Sequence, residues 1–174
     1  MLKLRKATAD DFSDIKALMQ LAISQLQKDF LSPAQIQASF VAMGLDTQLI
    51  DDGTYFCVFD QDILVGCGGW SRRATLYGGN HSAGRNADLL DPKKDRGRIR
   101  AMYTHPAHVR RGIGKMIINA GEEAARREGF TALEMAATLA GIPFYKNCGY
   151  EIESEWLDKN GSVPVPLCTM VKSL

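Results

Sequence analysis

Between His105 and Lys115 the chain reads His-Pro-Ala-His-Val-Arg-Arg-Gly-Ile-Gly-Lys. Gly112 and Gly114 remove side chains where the chain turns, so a ligand can approach the backbone closely. The residues that follow, Ile113, Met116, Ile117, Ala120 and Ala124, recur at helical spacing and put the turn at a helix start. The first N–H groups of a helix have no partners within it, and its dipole is positive there. Arg110, Arg111 and Lys115 add charge beside them. This combination suits the binding of a phosphate or pyrophosphate group. Taken alone, the same residues also read as a helix entry flanked by solvated basic side chains. Two nucleotide motifs are excluded. A Walker A loop needs Ser or Thr after its lysine, and Met116 follows Lys115; the Rossmann fingerprint needs a third glycine where Ile117 stands.

Groups able to move protons are fewer. Tyr145 is one, since an unperturbed phenol, with a pKa of about 10, is protonated at neutral pH; its alternative is packing beside Phe144. Glu134 lies mid-strand in Leu133-Glu134-Met135, where an acid is either functional or on a solvated face. His81 titrates near neutrality when unperturbed but reads as a solvated loop residue, and His105 and His108 as structural or exposed. Cys57, Cys67, Cys148 and Cys168 form no C-x-x-C pair and have no histidine placed to activate them. They read as reduced, mostly buried thiols, and no metal site is expected.

The elements that must position these residues follow from periodicity. Leu2–Lys6 alternates as a strand. Thr8 and Asp11 open a helix whose stripe is Phe12, Ile15, Leu18, Met19, Ala22 and Leu26. Ser32-Pro33-Ala34-Gln35 starts a second helix, stopping near Gly44. Residues 54–59 and 63–70 form a hairpin, whose Gly66, Gly68 and Gly69 call for a bulge or a close neighbour. Residues 71–97 have no sustained period and read as a long loop. A strand over 98–104, a helix over 112–128, a strand over 130–136 and a short helix over 140–147 follow. Residues 150–156 and 165–171 then pair across Lys159-Asn160-Gly161. The order β-α-α-β-β-β-α-β-α-β-β predicts an α+β or mixed α/β fold.

The 174 residues, 45% hydrophobic and 24% charged, suit one domain over 1–174. No apolar stretch approaches the roughly 18 residues of a membrane span. The charged N-terminus lacks a signal-peptide core, and a cytoplasmic protein is expected. A net charge of +1 argues against broad nucleic-acid binding. Locally the balance differs: Lys93 to Lys115 holds eight basic residues against one acid. Such a cluster steers an anionic ligand even when the total is small.

Met102-Tyr-Thr-His-Pro-Ala-His-Val-Arg-Arg-Gly-Ile-Gly114 resembles the coenzyme A-binding motif of the GCN5-related N-acetyltransferases, the GNAT superfamily: an apolar strand, x-Pro-x-x-[Arg/Gln]-x-x-Gly-x-[Gly/Ala], then a helix. Val109 departs from it, standing where the family usually has Arg or Gln. Ala140-Gly-Ile-Pro-Phe-Tyr-Lys-Asn-Cys-Gly-Tyr150 is similar to the family's A-x-x-F-Y-x-x-x-G-[FY] segment, and Leu4–Asp11 to its opening strand and helix start. The resemblance covers about the whole chain. It implies a mixed, mostly antiparallel central sheet with helices on both faces, and direct transfer of the acetyl group of acetyl-CoA to an amine.

By this resemblance the backbone of Met102, Tyr103 and Thr104 pairs with the pantetheine arm. Val109, Arg110, Arg111, Gly112, Ile113, Gly114 and Lys115 surround the pyrophosphate, Asn147 is a further contact, and Tyr145 is the general acid to the coenzyme A sulfur. Many relatives carry a glutamate on the strand before the phosphate turn; here Arg98 and Arg100 stand there, so that role does not carry over. Glu134 is left as the candidate base or amine binder, with a water relay as its alternative. Trp70, Tyr77, Arg72 and Arg73 are candidate walls of the acceptor pocket. Arg72, Arg73 and Arg85 hint at an acceptor carrying a carboxylate or phosphate, against a solvated basic surface or cofactor contacts. The leading expectation is acetylation of a small-molecule amine, favoured by a long loop over the pocket. A protein lysine or N-terminal acetyltransferase and a non-catalytic acyl-CoA-binding sensor are the alternatives. A homodimer is left open.

Overall fold

Two-residue alternation in the strands decides the layering. In β2 (Tyr55–Asp60), Tyr55 and Cys57 pack in a cluster with Ile15, Met19 and Ile23, whereas Val58 packs with Ile113 and Ile117. Helix α1 (Phe12–Leu26) therefore covers one face of the sheet and α4 (Ile113–Arg127) the other. The computed structural model describes residues 1–174. Its remaining elements are β1 (Leu2–Lys6), α2 (Pro33–Ala42), α3 (Thr47–Asp51), β3 (Ile63–Ser71), β4 (Gly97–Thr104), β5 (Ala132–Thr138), α5 (Ile142–Asn147), β6 (Glu151–Asp158) and β7 (Val165–Ser173). No helix is long and apolar enough to cross a membrane.

The expected order lacks α3. Five residues are too few to show a helical period, although Asp46 caps them, accepting from Gln48 N at 3.1 Å. The expected strand over 130–136 begins two residues later, because Phe130 is a buried core residue packed edge-on against Trp70. The capping box at Ser32 is present, with Gln35 N donating to Ser32 Oγ at 3.2 Å.

The seven strands form one sheet in the order β1-β2-β3-β4-β5-β7-β6. Every neighbouring pair is antiparallel except β4 and β5. Those two pair only at Gly97 with Leu133 and Arg98 with Glu134. Beyond that point they part, and the sheet opens as a wedge. On its other edge β4 carries a bulge. Cys67 pairs with Tyr103 and Gly69 with Arg100, so Ala101 and Met102 oppose Gly68 alone. Ala101 takes a positive φ of 51°, and Tyr55 Oη donates to its carbonyl at 2.7 Å.

Candidate active site

A cavity of about 650 Å³ occupies the wedge between β4 and β5. Met102, Tyr103 and Thr104 line it from β4, and Met135, Ala136 and Thr138 from β5. Past Thr104 the chain turns through His105, whose Nδ1 accepts from Ala107 N at 3.1 Å. Arg110 at φ 64° and Gly112 at φ 82° then reverse it into α4. The first helical bond is Met116 N to Gly112 O, at 3.0 Å. The N–H groups of Ile113, Gly114 and Lys115 accordingly have no helical partner, and all three residues face the cleft. Together they are donors suited to an anion.

The two glycines of this turn serve different ends. At Gly112 an added Cβ would meet nothing within 4 Å, so it is the left-handed backbone that favours glycine. At Gly114 an added Cβ would lie 2.8 Å from Phe144 Cζ, so the missing side chain seats an α5 ring against the first turn of α4.

Val109, Arg110, Lys115 and Asn147 line the same cleft. Arg111 does not. Its Nη1 donates to Asp60 at 2.7 Å and lies 2.7 Å from His108 Nδ1. Its side chain braces the turn against β2, which directs its charge to Asp60 rather than into the cleft.

Tyr145 faces the cleft from α5, with its ring 5.2 Å from Phe144 and 6.2 Å from Tyr150. Burial, with a smaller contribution from Cys148, pushes its phenol well above the ordinary value. Glu134 is not brought to Tyr145. It lies outside the cleft lining, and its carboxylate takes Arg98 and, at 3.4 Å, Arg96. These pairs tie β5 to β4 and the residue before it at the spine of the wedge, and turn the Glu134 carboxylate to arginines rather than to the cleft. His81 is also outside, with Nε2 3.0 Å from Phe40 O.

The far end of the cleft is built by α1, the segment after α2, and the loop before β4. The loop is pinned at several points. Arg73 makes two bonds to Asp52, at 2.7 and 2.9 Å, and Arg72 reaches Glu128 at 2.6 Å. Arg85 and Arg100 converge on Asp46, at 3.0 and 2.8 Å. Burial alone would raise the Asp46 carboxyl; Arg85 and Arg100 outweigh it and hold the group below its usual range. Arg72, Arg73 and Arg85 are thus paired within the chain and none lines the cleft, which sets them apart from an anionic acceptor there. Tyr77 does line the cleft, beside Trp156 at 5.3 Å, while Trp70 is buried in the core.

Sequence reasoning missed Gln27. It caps α1, is 5% exposed and lines the cleft, and its Oε1 has no hydrogen-bond partner. A signal was present: Gln27 stands four residues after the apolar Ile23, on the same helix face. A polar residue on a buried stripe marks either a partner or a ligand.

The sheet, its parted strands and the donor-rich turn are those of an acyl-CoA-type acetyltransferase. The family model of the acetyltransferase (GNAT) family matches residues 16–150, and the chain belongs to that family. No curated protein matches it. Among solved structures, a GCN5-related N-acetyltransferase from Rhodopseudomonas palustris is 23% identical with a TM-score of 0.73, over 99% of this chain and 95% of that one. The PaiA N-acetyltransferase of Thermoplasma acidophilum, solved with coenzyme A, is 13% identical with a TM-score of 0.69, over 100% and 99%. The Salmonella typhimurium protein yncA, solved with acetyl-CoA, is 17% identical with a TM-score of 0.64, over 100% and 94%. At these identities the likeness shows the fold.

Proposed function

We propose that the protein transfers the acetyl group of acetyl-CoA to the amine of a small molecule. The observation that carries this reading is that one cleft joins the free N–H groups at the start of α4 to Tyr145. The residues fit the cosubstrate. The turn from Val109 to Lys115 offers the pyrophosphate its backbone donors, with Arg110 and Lys115 beside them. The β4 edge at Met102–Thr104, unpaired on the β5 side, suits an extended amide-bearing arm. Acetyl-CoA supplies the acyl thioester.

In the transfer, the amine lone pair forms the new C–N bond at the thioester carbon. The C–S bond breaks, and the sulfur keeps its bonding pair. Tyr145, held protonated by its burial, gives its hydroxyl proton to that sulfur and is reprotonated from solvent. The nitrogen gives up its proton to water. A small acceptor is favoured over a peptide because the pinned loop adds Leu76, Tyr77 and Gly78 to the wall of the far end.

Thiol release from acetyl-CoA, measured over a panel of amines and lysine peptides with product masses, tests this reading. Acetylated small amines are expected. Tight acetyl-CoA binding with no turnover on any acceptor would instead make the protein an acyl-CoA sensor.

A further inference from the structure

The wall of the cleft is notable for what it omits. No aspartate or glutamate lines it. The groups that carry a fixed charge there are Arg100, Arg110 and Lys115, all basic, and the only histidine is His108 on the phosphate turn. Arg100 is 3% exposed and already committed to Asp46 and to the carbonyls of Thr75 and Gly78. Along α1 the wall is Ile23 and Leu26, continued by Phe30, which is 48% exposed at the rim. An ammonium brought into such a place loses water and gains no counter-charge. Desolvation favours its neutral form. A second ammonium, as in a polyamine, meets the same penalty again. Against this background stands the Gln27 amide, nine-tenths buried in the cleft wall with an oxygen that no protein donor satisfies. Rotation of the amide presents either its oxygen or its nitrogen at the same place.

We propose that the acceptor is a monoamine with an apolar body, taken up as the free base, and that the Gln27 amide is its hydrogen-bonding contact on α1. This rests on the N-acetyltransferase reading above and adds the acceptor class. It also accounts for a cleft without a side-chain base at its apolar end. The nitrogen sheds its proton to solvent on entry, so the wall achieves by exclusion what a carboxylate would achieve by accepting.

The test uses the full chain with acetyl-CoA and three kinds of acceptor: ring-substituted benzylamines of graded pKa, spermidine, and a lysine peptide with a blocked N-terminus. The benzylamines are expected to exceed spermidine and the peptide in kcat/KM by about tenfold or more. The pH midpoint of kcat/KM should move with the pKa of each benzylamine. A preference for spermidine or the peptide, or a midpoint fixed across the series, overturns the proposal while leaving acetyl transfer standing. No acetylation of any amine removes the acetyltransferase reading and this proposal together.

Two variants address Gln27. Gln27→Met keeps the volume and should raise acceptor KM about three- to tenfold without moving the KM for acetyl-CoA. Its Tm should stay level or rise, since an unsatisfied buried group is gone. Gln27→Glu supplies the missing carboxylate and should raise spermidine relative to benzylamine. Unchanged acceptor KM in the first variant, or an unchanged ranking in the second, overturns the role of Gln27.

Discussion

A Cβ on Gly114 would stand 2.8 Å from Cζ of Phe144 and 3.2 Å from its Cε2, so the first turn of α4 and the ring that precedes Tyr145 are fitted to each other. The two segments that carry the family resemblance are thereby one mechanical unit. Gly114→Ala should cost about 1–3 kcal/mol by overpacking and should lower kcat as α5 shifts. Thermal denaturation and steady-state kinetics check this. Adding Phe144→Leu should recover most of the stability, and failure to do so would remove the ring as the cause.

Gly112 tests the turn in another way. With open space around it, Gly112→Ala should cost only the left-handed backbone penalty of about 1–2 kcal/mol. Gly112→Asp adds a carboxylate at the proposed anion site and should weaken acetyl-CoA binding by about tenfold or more. Calorimetric titration of both variants separates strain from charge. Equal affinities in the two would argue against an anion at this turn.

For Tyr145 the prediction concerns both rate and pH. Tyr145→Phe should lower kcat by about 10²-fold or more while leaving acetyl-CoA affinity near wild type. An ordinary phenol, with a pKa of about 10, is half ionised by about pH 10. Because burial raises this one, the wild-type kcat should show no alkaline decline up to about pH 10. A downward limb below that pH would mean that the acid is another group.

Asp46 gives a stability prediction with a definite sign. Its folded pKa lies below the unfolded value of about 3.9. The stability it contributes is therefore complete above about pH 4 and is lost as pH falls toward the folded pKa. Asp46→Asn should abolish that part of the acid dependence. It should also cost about 3–5 kcal/mol at pH 7, since Arg100 would keep a buried charge without its partner. Urea denaturation from pH 2 to 7 reads both effects.

How far the sequence carried the structure depended on the distance over which each feature is encoded. The α4 stripe and the Ser32 cap are local patterns of a few residues, and the fold places both within a residue or so of the expected bounds. The role of the 71–97 loop is not local. Arg73 finds Asp52, and Arg100 finds Asp46 from 54 residues away. Nothing in the order of residues distinguishes an arginine waiting for a substrate from one already matched to a carboxylate. The pairing of Glu134 is non-local for the same reason, its partners being Arg98 on β4 and Arg96 just before it. Gln27 shows the converse: its i+4 spacing from Ile23 is a local pattern, but its unsatisfied oxygen exists only in the packed fold.

The parted strands have a mechanical consequence. Strands β1 to β4 form one leaf and β5 to β7 a second, and across the sheet they share only two residue pairs. The N-terminus belongs to the first leaf and the C-terminus to the second. Within the sheet, a force pulling the two ends apart is thus borne by a short seam, backed by the core that α4 packs across both leaves and by whatever lies in the gap. A molecule laced through that gap would act as stitching, and the load at which the protein ruptures would report its presence without any chemistry taking place.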